Sequence, residues 1–208
     1  MKFVLLVEGD TERRCLQKFI KRWLDPRLQS PVKIQPVQLK GWGRFRKDAV
    51  IKSRLYLAQP KGEGVIGVIA LLDLHGPTFF PENLKSSAER YDWGTKWFEK
   101  EIASDRFRMF FAVHELEAWL LSDLAIFPVK ARSAFPASTA QPETVNSQTP
   151  PSLLIKQIYR ERLQQDYKKT ATGVSLFESL DPELAAKRCP RLNEMFEVML
   201  DMAQAAGC

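Results

Sequence analysis

The chain has 208 residues, of which 45% are hydrophobic and 27% are charged, so it has the size and composition of one folded domain and general disorder is excluded. No run of about 18 apolar residues is present, which excludes a membrane-spanning helix, and the short apolar start lacks the length and cleavage site of a signal peptide. The 31 basic and 25 acidic residues give a formal net charge of +6, which favours a polyanionic partner without identifying one.

The first half of the chain alternates between short apolar runs and segments whose apolar residues recur at helical spacing. Apolar runs bounded by turn residues predict buried strands, and Asp10 or Thr11 can cap the first helix. Gly41-Trp42-Gly43-Arg44 is interpreted as a glycine-punctuated turn before the second helix. The predicted elements are a strand over residues 2–7, a helix ending at Leu24, a strand over 31–39 and a helix over 47–58.

The strongest strand pattern of the chain covers residues 65–72, Val-Ile-Gly-Val-Ile-Ala-Leu-Leu, and Gly76-Pro77 forces a turn soon after it. The elements predicted next are a helix over 86–104, a strand over 107–113 and a helix over 114–121. Strands that alternate with helices indicate βαβ units. The predicted class is therefore α/β, with a small, mainly parallel sheet flanked by helices.

The composition changes at residues 128–151, which are rich in Pro, Ser, Thr, Ala and Gln and lack periodicity. This is typical of a long loop or connector. Helical patterns follow over 153–163, 173–180 and 191–202. We expect an α/β core over residues 1–127, the connector, and a helical C-terminal extension over 152–208 that packs on the core.

The three cysteines, Cys15, Cys189 and Cys208, lie far apart and form no Cys-x-x-Cys motif. This spacing indicates neither a disulfide framework nor a zinc site. We expect a reduced, cytoplasmic protein without a membrane partner.

Acidic residues stand where three of the predicted strands end. Glu8 follows the first strand, Asp73 follows the third, and Glu115 and Glu117 follow the fourth. Because the carboxyl ends of parallel strands share one edge of a sheet, we expect these side chains to converge. Clustered oxygen ligands suit a hard cation such as Mg²⁺, and two such ions can clamp both oxygens of a phosphodiester displacement.

Each acid also has an interpretation that involves no chemistry. Glu12 falls in the first turn of a helix, where the helix dipole favours an acid. Asp73 could be a turn residue, and Glu115 and Glu117 could cap the helix that they open. The joint placement of the acids, rather than any one of them, predicts a site.

Several short motifs of the chain resemble those of known families. Val7-Glu8-Gly9-Asp10-Thr11-Glu12 resembles the Val-Glu-Gly-x-Thr/Ser-Glu signature of Toprim domains of the overcoming-lysogenization-defect (OLD) nuclease type. Leu-Leu-Asp-Leu-His-Gly at 71–76 resembles the Toprim strand that carries an Asp-x-Asp motif. His-Glu-Leu-Glu-Ala-Trp-Leu at 114–120, Tyr-Lys-Lys-Thr at 167–170 and Arg-Cys-Pro at 188–190 resemble hallmarks of the Toprim-related bacterial family named domain of unknown function 4276.

This resemblance spans nearly the whole chain and implies a Toprim-like fold with metal-dependent chemistry on nucleic acid. By motif, Glu8 and Glu12 match the paired glutamates of the OLD-type site, and Asp73 matches the first aspartate of Asp-x-Asp. Glu115 or Glu117 matches a later acid.

In this interpretation Glu8 is the principal metal ligand, Gly9 lets the backbone turn tightly, and the Glu12 side chain points back toward the same ion. His75 stands where the family has the second aspartate. An imidazole is a poorer ligand for Mg²⁺ than a carboxylate and suits Mn²⁺ or Zn²⁺ better. The cofactor expected is therefore Mg²⁺ or Mn²⁺.

Three basic residues are further candidates for catalysis. Lys168 or Lys169 could neutralise developing phosphate charge or protonate a leaving group, although paired surface lysines are as often only solvated. His114 is a candidate general base or a structural histidine.

Basic and aromatic residues interleave just before and within the second predicted helix. Such interleaving suits backbone contacts and base stacking on a nucleic acid, or it is an exposed turn. The residues are Lys40, Trp42, Arg44, Phe45, Arg46 and Lys47.

Two functions follow from this reasoning. The first is a divalent-metal-dependent nuclease or related phosphoryl-transfer enzyme that acts on DNA or RNA in bacterial defence or DNA repair. The second is a degenerate Toprim-like module that binds nucleic acid or a partner protein without cutting. Toprim nucleases of this kind often accompany an ATPase; because the chain has no P-loop motif, we expect any ATPase to be a separate subunit.

Overall fold

The computed structural model describes residues 1–58, 64–144 and 149–208. Its centre is a sheet of four parallel strands, in which the first and third strands of the chain lie in the middle, the second pairs with the first, and the fourth pairs with the third. The α/β class with a small parallel sheet, predicted from the alternation of strands and helices, is thereby confirmed. The strands are β1 (Lys2–Val7), β2 (Lys33–Gln38), β3 (Val65–Asp73) and β4 (Phe107–Ala112).

The position of each strand in the sheet follows from its residues. In β3 all residues from Val65 to Leu72 are buried, as expected for a central strand covered on both faces. In contrast, β2 has only one buried residue and contains Pro36. A proline has no N–H to donate to a second neighbour, so this strand can lie only at an edge.

Helices cover both faces of the sheet. On one face, α1 (Asp10–Leu24) packs together with the C-terminal helices around Phe19, Trp119 and Phe196. On the other face, α2 (Trp42–Leu57) and α3 (Ser87–Ile102) form a second core around Phe45 and Phe98. Each of the first three strands is thus followed by a helix that returns across the sheet, so the four strands are parallel and their carboxyl ends lie at the same edge.

The helix α2 begins five residues earlier than the sequence predicts. Gly41 adopts a positive φ of 95°, which a glycine accepts without strain, and the helix starts directly after it at Trp42. Phe45 and Ala49, four residues apart, are both buried and therefore fix the register of the first turns. The glycine-punctuated turn of the prediction is in fact the first turn of this helix.

The segment after β4 also departs from the prediction of a helix over 114–121. His114 has a left-handed φ of 67°, and its carbonyl accepts a hydrogen bond from the His75 backbone N–H at 2.8 Å. The chain therefore turns sharply at His114. The short helix α4 (Glu117–Leu120) begins only after this turn.

The C-terminal part is helical. Within the segment predicted as a loop, residues 128–151, lie a short helix and two 3-10 turns (Ala137–Ala140 and Pro142–Thr144), while residues 145–148 lie outside the described residues. Helix α1 packs against three helices of this part, those over residues 174–179, 182–188 and 190–205. The remaining helices are α5 (Val129–Arg132), α6 (Pro151–Ile158, continued by a wider π-helical turn over Tyr159–Leu163), α7 (Val174–Ser179, preceded by a π-helical turn over Lys169–Gly173), α8 (Pro182–Arg188) and α9 (Pro190–Ala205).

None of the helices in the described ranges is both long enough and apolar enough to cross a membrane.

Candidate active site at the strand ends

The strand order creates a natural crevice between β1 and β3. The chain passes from β1 outward to β2, and from β3 outward to β4 on the opposite side. In open parallel sheets, ligands bind outside the carboxyl ends of the strands at such a switch point. The residues at this point are Glu8, directly after β1, and Asp73, the last residue of β3.

Glu8 is held in place by the start of α2. Its Oε1 accepts a hydrogen bond from the Trp42 backbone N–H at 3.1 Å. The pKa of Glu8 is raised, chiefly because partial burial disfavours the charged form, and this rise is opposed by the Trp42 hydrogen bond and by the positive charge of Lys169.

Glu12 lies in the first turn of α1, and its carboxylate folds back over Gly9. A methyl group placed on Gly9 would lie only 2.8 Å from Glu12 Oε2. Gly9 itself has φ −125° and ψ −175°, an extended backbone that any residue adopts, so the expectation of a glycine-dependent tight turn is wrong. The glycine instead leaves room for the Glu12 carboxylate beside Glu8. Burial is the main cause of the raised pKa of Glu12, and the negative charge of Glu8 raises it further.

Asp73 joins the end of β3 to the turn that follows β4. Its Oδ1 accepts a hydrogen bond from the Leu116 backbone N–H at 2.8 Å. The pKa of Asp73 is raised well above its usual value, first by burial and then by the negative charges of Glu117 and Glu12. Asp73 is therefore electrostatically coupled to acids from both neighbouring segments.

The two acids after β4 have different partners. Glu115 accepts hydrogen bonds from the Ser152 backbone N–H at 2.9 Å and from the Ser152 hydroxyl at 3.0 Å. Glu117, whose side chain is only 4% exposed, pairs with Lys169, at 3.0 Å between Oε2 and Nζ. The same Lys169 Nζ lies 3.7 Å from Glu115 Oε1.

We call this group the acidic site. It contains five carboxylates from three strand ends, with the ammonium group of Lys169 next to them. Attraction to Glu117, Glu115 and Asp73 outweighs the effect of burial and raises the pKa of Lys169 to about 12, so the residue stays charged. The five acids are Glu8, Glu12, Asp73, Glu115 and Glu117.

The chemistry of this donor set fits a hard divalent cation. All the donors are carboxylate oxygens, and their pKa values rise partly because negative charges crowd together. In the described part of the chain, however, no three His, Cys, Asp or Glu side chains stand close enough to form a ready-made metal site. Lys169 supplies the positive charge in this arrangement.

The structure separates the two predicted catalytic lysines. Lys169 contacts the acidic site, whereas Lys168 is exposed. His75 and His114 do not contact the five acids through any hydrogen bond; they line a small cavity on the α3 side of the strand ends, together with Lys85, Ser87 and Arg90. Burial, with His75 nearby, lowers the pKa of His114.

The basic residues around the start of α2 lie beside Glu8, since the Gly41 N–H donates to the Glu8 carbonyl at 3.2 Å. The side chains of Lys40, Arg44, Arg46 and Lys47 are exposed. The Arg46 guanidinium stacks over Trp97 at 4.2 Å from the ring centroid.

One of the two aromatic residues of this segment differs from the prediction. Phe45 is completely buried against Phe98, so it cannot stack on a base and is a core residue. Trp42 is partly buried and packs against the same core. The interleaving of basic and aromatic residues thus reflects a helix with one buried face and one basic face.

Sequence reasoning missed Ser152, Lys85 and Arg90. Ser152 follows two prolines in a segment without periodicity, and Lys85 and Arg90 lie at the start of a helix where charged residues are ordinary. Their roles depend on contacts between distant segments, for which the sequence carries no local signal.

Comparisons with known proteins show which family and which solved structures the chain resembles. The family model described as "Domain of unknown function (DUF4276)" matches residues 7–200, and no curated protein matches the chain. The C-terminal region of the Burkholderia pseudomallei OLD protein superimposes with a TM-score of 0.50 at 14% identity, covering 99% of this chain and 98% of that one. The C-terminal region of the Xanthomonas campestris pv. campestris OLD protein gives a TM-score of 0.43 at 15% identity, covering 95% and 96%. The chain belongs to the DUF4276 family and has the Toprim-like fold that its motifs predict.

Proposed function

We propose that this protein is a divalent-metal-dependent nuclease, or a related phosphoryl-transfer enzyme, that acts on nucleic acid. The observation that carries the proposal is the acidic site: five carboxylates from three strand ends, beside one lysine, at the switch point of a parallel sheet. The resemblance to OLD-type Toprim domains points to the same chemistry.

The cofactor in this proposal is Mg²⁺ or Mn²⁺. Glu8, Glu12 and Asp73 would hold it, with Glu115 and Glu117 as further oxygen donors. When bound, a divalent ion supplies an activated water and stabilises the charge that develops on the phosphate. Its binding would also relieve the repulsion that raises the pKa values of these acids.

The residues of the chain have separate tasks in this reaction. Lys169 is placed to stabilise negative charge on the phosphate oxygens, because it is the cation that the acidic site already holds. The Trp42 and Leu116 amides fix the carboxylates of Glu8 and Asp73, so that they need little reorganisation. Exposed basic side chains at the start of α2, such as Arg44, would contact the phosphate backbone.

The proposed setting is the bacterial cytoplasm, in defence or DNA repair. The three cysteines are buried free thiols, which suits a reducing compartment. An ATPase that works with this protein would be a separate subunit, as the resemblance to OLD-type nucleases suggests.

A second candidate function is a module that binds nucleic acid or a partner protein without cutting it. The observation in its favour is that Lys169 already neutralises Glu117 at 3.0 Å, while no three donors in the described residues form a ready-made metal site. An ion pair of this kind could replace the metal permanently.

A cleavage assay that compares the Glu8→Gln variant with wild type tests the proposal. Glutamine keeps the oxygen that accepts the Trp42 hydrogen bond, so the fold is preserved while one negative charge is lost. The assay follows single- and double-stranded DNA and RNA with Mg²⁺ or Mn²⁺. The matched control is Glu197→Gln, which alters an exposed acid on α9.

We expect wild type and the Glu197→Gln control to cleave at least one substrate and Glu8→Gln to cleave none. Equal cleavage by wild type and Glu8→Gln would refute the mechanism. If wild type binds an oligonucleotide but cuts none with either metal, the binding module is the correct function.

A further inference from the structure

A second polar cavity lies beside the acidic site, between the turn after β3 and the start of α3. Its volume is about 150 Å³. Drug-sized ligands occupy roughly 300–1,000 Å³, so this cavity suits a small ion rather than a nucleoside. We call it the basic pocket, and the polar residues that line it are His75, Lys85, Ser87, Arg90 and His114.

The polar lining consists only of basic and hydroxyl-bearing side chains. Among the described residues that line the basic pocket there is no aspartate or glutamate. Four of the five polar groups can therefore donate to an anion as cations or imidazoles, and Ser87 can donate its hydroxyl. Such a set is complementary to a compact, multiply charged anion.

The buried member of the pocket has no internal partner. His114 is only 7% exposed, yet its imidazole makes no hydrogen bond with the part of the chain that the structure describes. The residue lines the cavity, so a ligand there is within reach of its ring. An anion in the pocket would supply the missing partner.

The guanidinium of Arg90 likewise has no carboxylate partner among the described residues. Its Nε donates to the Leu84 carbonyl at 3.3 Å, which orients the group, while its two terminal nitrogens contact no carboxylate within the described ranges. The planar fork of an arginine matches two oxygens of one phosphate group.

The N-terminus of α3 adds a positive electrostatic potential that favours an anion. This helix has 16 residues, and Ser87 stands in its first position, where the helix dipole attracts anions. The nearest acid of the helix, Glu89, accepts from the backbone N–H groups of Lys85 and Ser86 at 3.0 and 2.8 Å. It is a capping residue and does not line the pocket.

We propose that the basic pocket binds the terminal phosphate of a nucleic-acid strand. This rests on the proposed function, which it extends from nucleic acid in general to strands with a phosphorylated end. The pocket adjoins the acidic site: Asp73 and His75 are separated by one residue, and His114 directly precedes Glu115. A terminal phosphate monoester carries up to two negative charges, whereas an internal phosphodiester carries one, so the two cations of the pocket, Lys85 and Arg90, favour the end.

The experiment measures binding in EDTA, where cleavage cannot interfere. A fluorescent oligonucleotide with a 5′-phosphate, a 3′-phosphate or no terminal phosphate is titrated with the full chain and followed by anisotropy. The pocket variant is Lys85→Gln/Arg90→Gln. The matched control is Lys96→Gln/Lys100→Gln, which removes the same charge from exposed positions of the same helix.

We expect one of the two phosphorylated ends to tighten binding to wild type and control about tenfold, as one or two charge-assisted hydrogen bonds would. The pocket variant should bind all three oligonucleotides alike. Lys85→Gln alone, at an exposed position, should give a partial loss, and it keeps the test valid if the double variant misfolds.

Three results would overturn the proposal. In the first, wild type does not distinguish the oligonucleotides; in the second, the control loses the preference as fully as the pocket variant does. Either leaves the nuclease proposal standing, because cleavage is tested separately by Glu8→Gln. In the third, inorganic phosphate binds wild type but not the pocket variant, and no oligonucleotide binds; this overturns nucleic acid as the source of the phosphate, while the nuclease proposal is still decided by its own cleavage assay.

Discussion

Replacing Lys169 by methionine tests whether this residue holds the acidic site together. Methionine keeps the length and apolar stem of the lysine but removes its charge. Glu117 would then be left with a nearly buried carboxylate that has lost its cation at 3.0 Å. We expect a less stable protein.

The size of the loss follows from two contributions. The rise in the pKa of Lys169 from 10.5 to about 12 corresponds to about 2 kcal/mol at about 1.4 kcal/mol per unit, and screening of a side chain that is 37% exposed reduces this to about 1 kcal/mol. Leaving Glu117 unpaired adds its desolvation, so the total approaches about 3 kcal/mol.

The assay is urea denaturation of Lys169→Met, Lys169→Met/Glu117→Gln and the control Lys168→Met. The double variant should regain most of the loss, because no unpaired buried charge remains. Lys168 is exposed, so its replacement should change the free energy of unfolding by less than about 0.5 kcal/mol.

The pH dependence of Lys169→Met supplies a second readout. Burial already raises the pKa of Glu117, and Lys169 opposes that rise. Without the lysine, the folded state takes up a proton that the unfolded state releases, so the deficit should shrink as the pH is lowered from about 8 to about 5.5. A deficit that is absent, or that grows at low pH, would refute the reasoning.

Three further predictions concern the site and its surroundings. Gly9→Ala should displace the Glu12 carboxylate, which lies 2.8 Å from the added methyl group, and lower cleavage by roughly ten- to a hundredfold with little change in the thermal midpoint. Because the pKa values of Asp73 and the two glutamates after β1 are raised, the unfolding midpoint of the metal-free protein should fall as the pH rises from about 5 to about 8, and Mg²⁺ should restore it; a midpoint that rises with pH would contradict this. Phe45→Ala should cost about 3–5 kcal/mol of stability, whereas Arg44→Gln should weaken oligonucleotide binding and leave stability unchanged; the opposite pattern would show that Phe45 is a surface residue.

Much of the fold is predictable because its strands are short apolar runs between turn residues. The predicted ends of β1, β3 and β4 lie within one residue of the observed ends, and an acid stands at or just after the carboxyl end of each. The early start of α2 was not expected, since Gly41-Trp42-Gly43 has the composition of a turn. The burial of Phe45 against Phe98 overrides that local preference.

The candidate site was harder to predict than the fold. That Lys169 rather than Lys168 reaches Glu117 depends on how the C-terminal helices pack, which no spacing within Tyr-Lys-Lys-Thr encodes. The left-handed turn at His114 likewise accompanies its pairing with the backbone of His75, 39 residues earlier in the chain.

Three of the five acids link distant segments of the chain, because each carboxylate accepts a hydrogen bond from a backbone N–H of another segment. Glu8 ties β1 to the start of α2, Asp73 ties β3 to the turn after β4, and Glu115 ties that turn to the start of α6 through Ser152. Selection for a stable fold alone would therefore keep these carboxylates in a descendant that had lost catalysis. In such a descendant Glu8, Asp73 and Glu115 would persist without activity, whereas a group that links no distant segments, such as the Glu12 carboxylate beside Gly9, would be the better marker of catalysis.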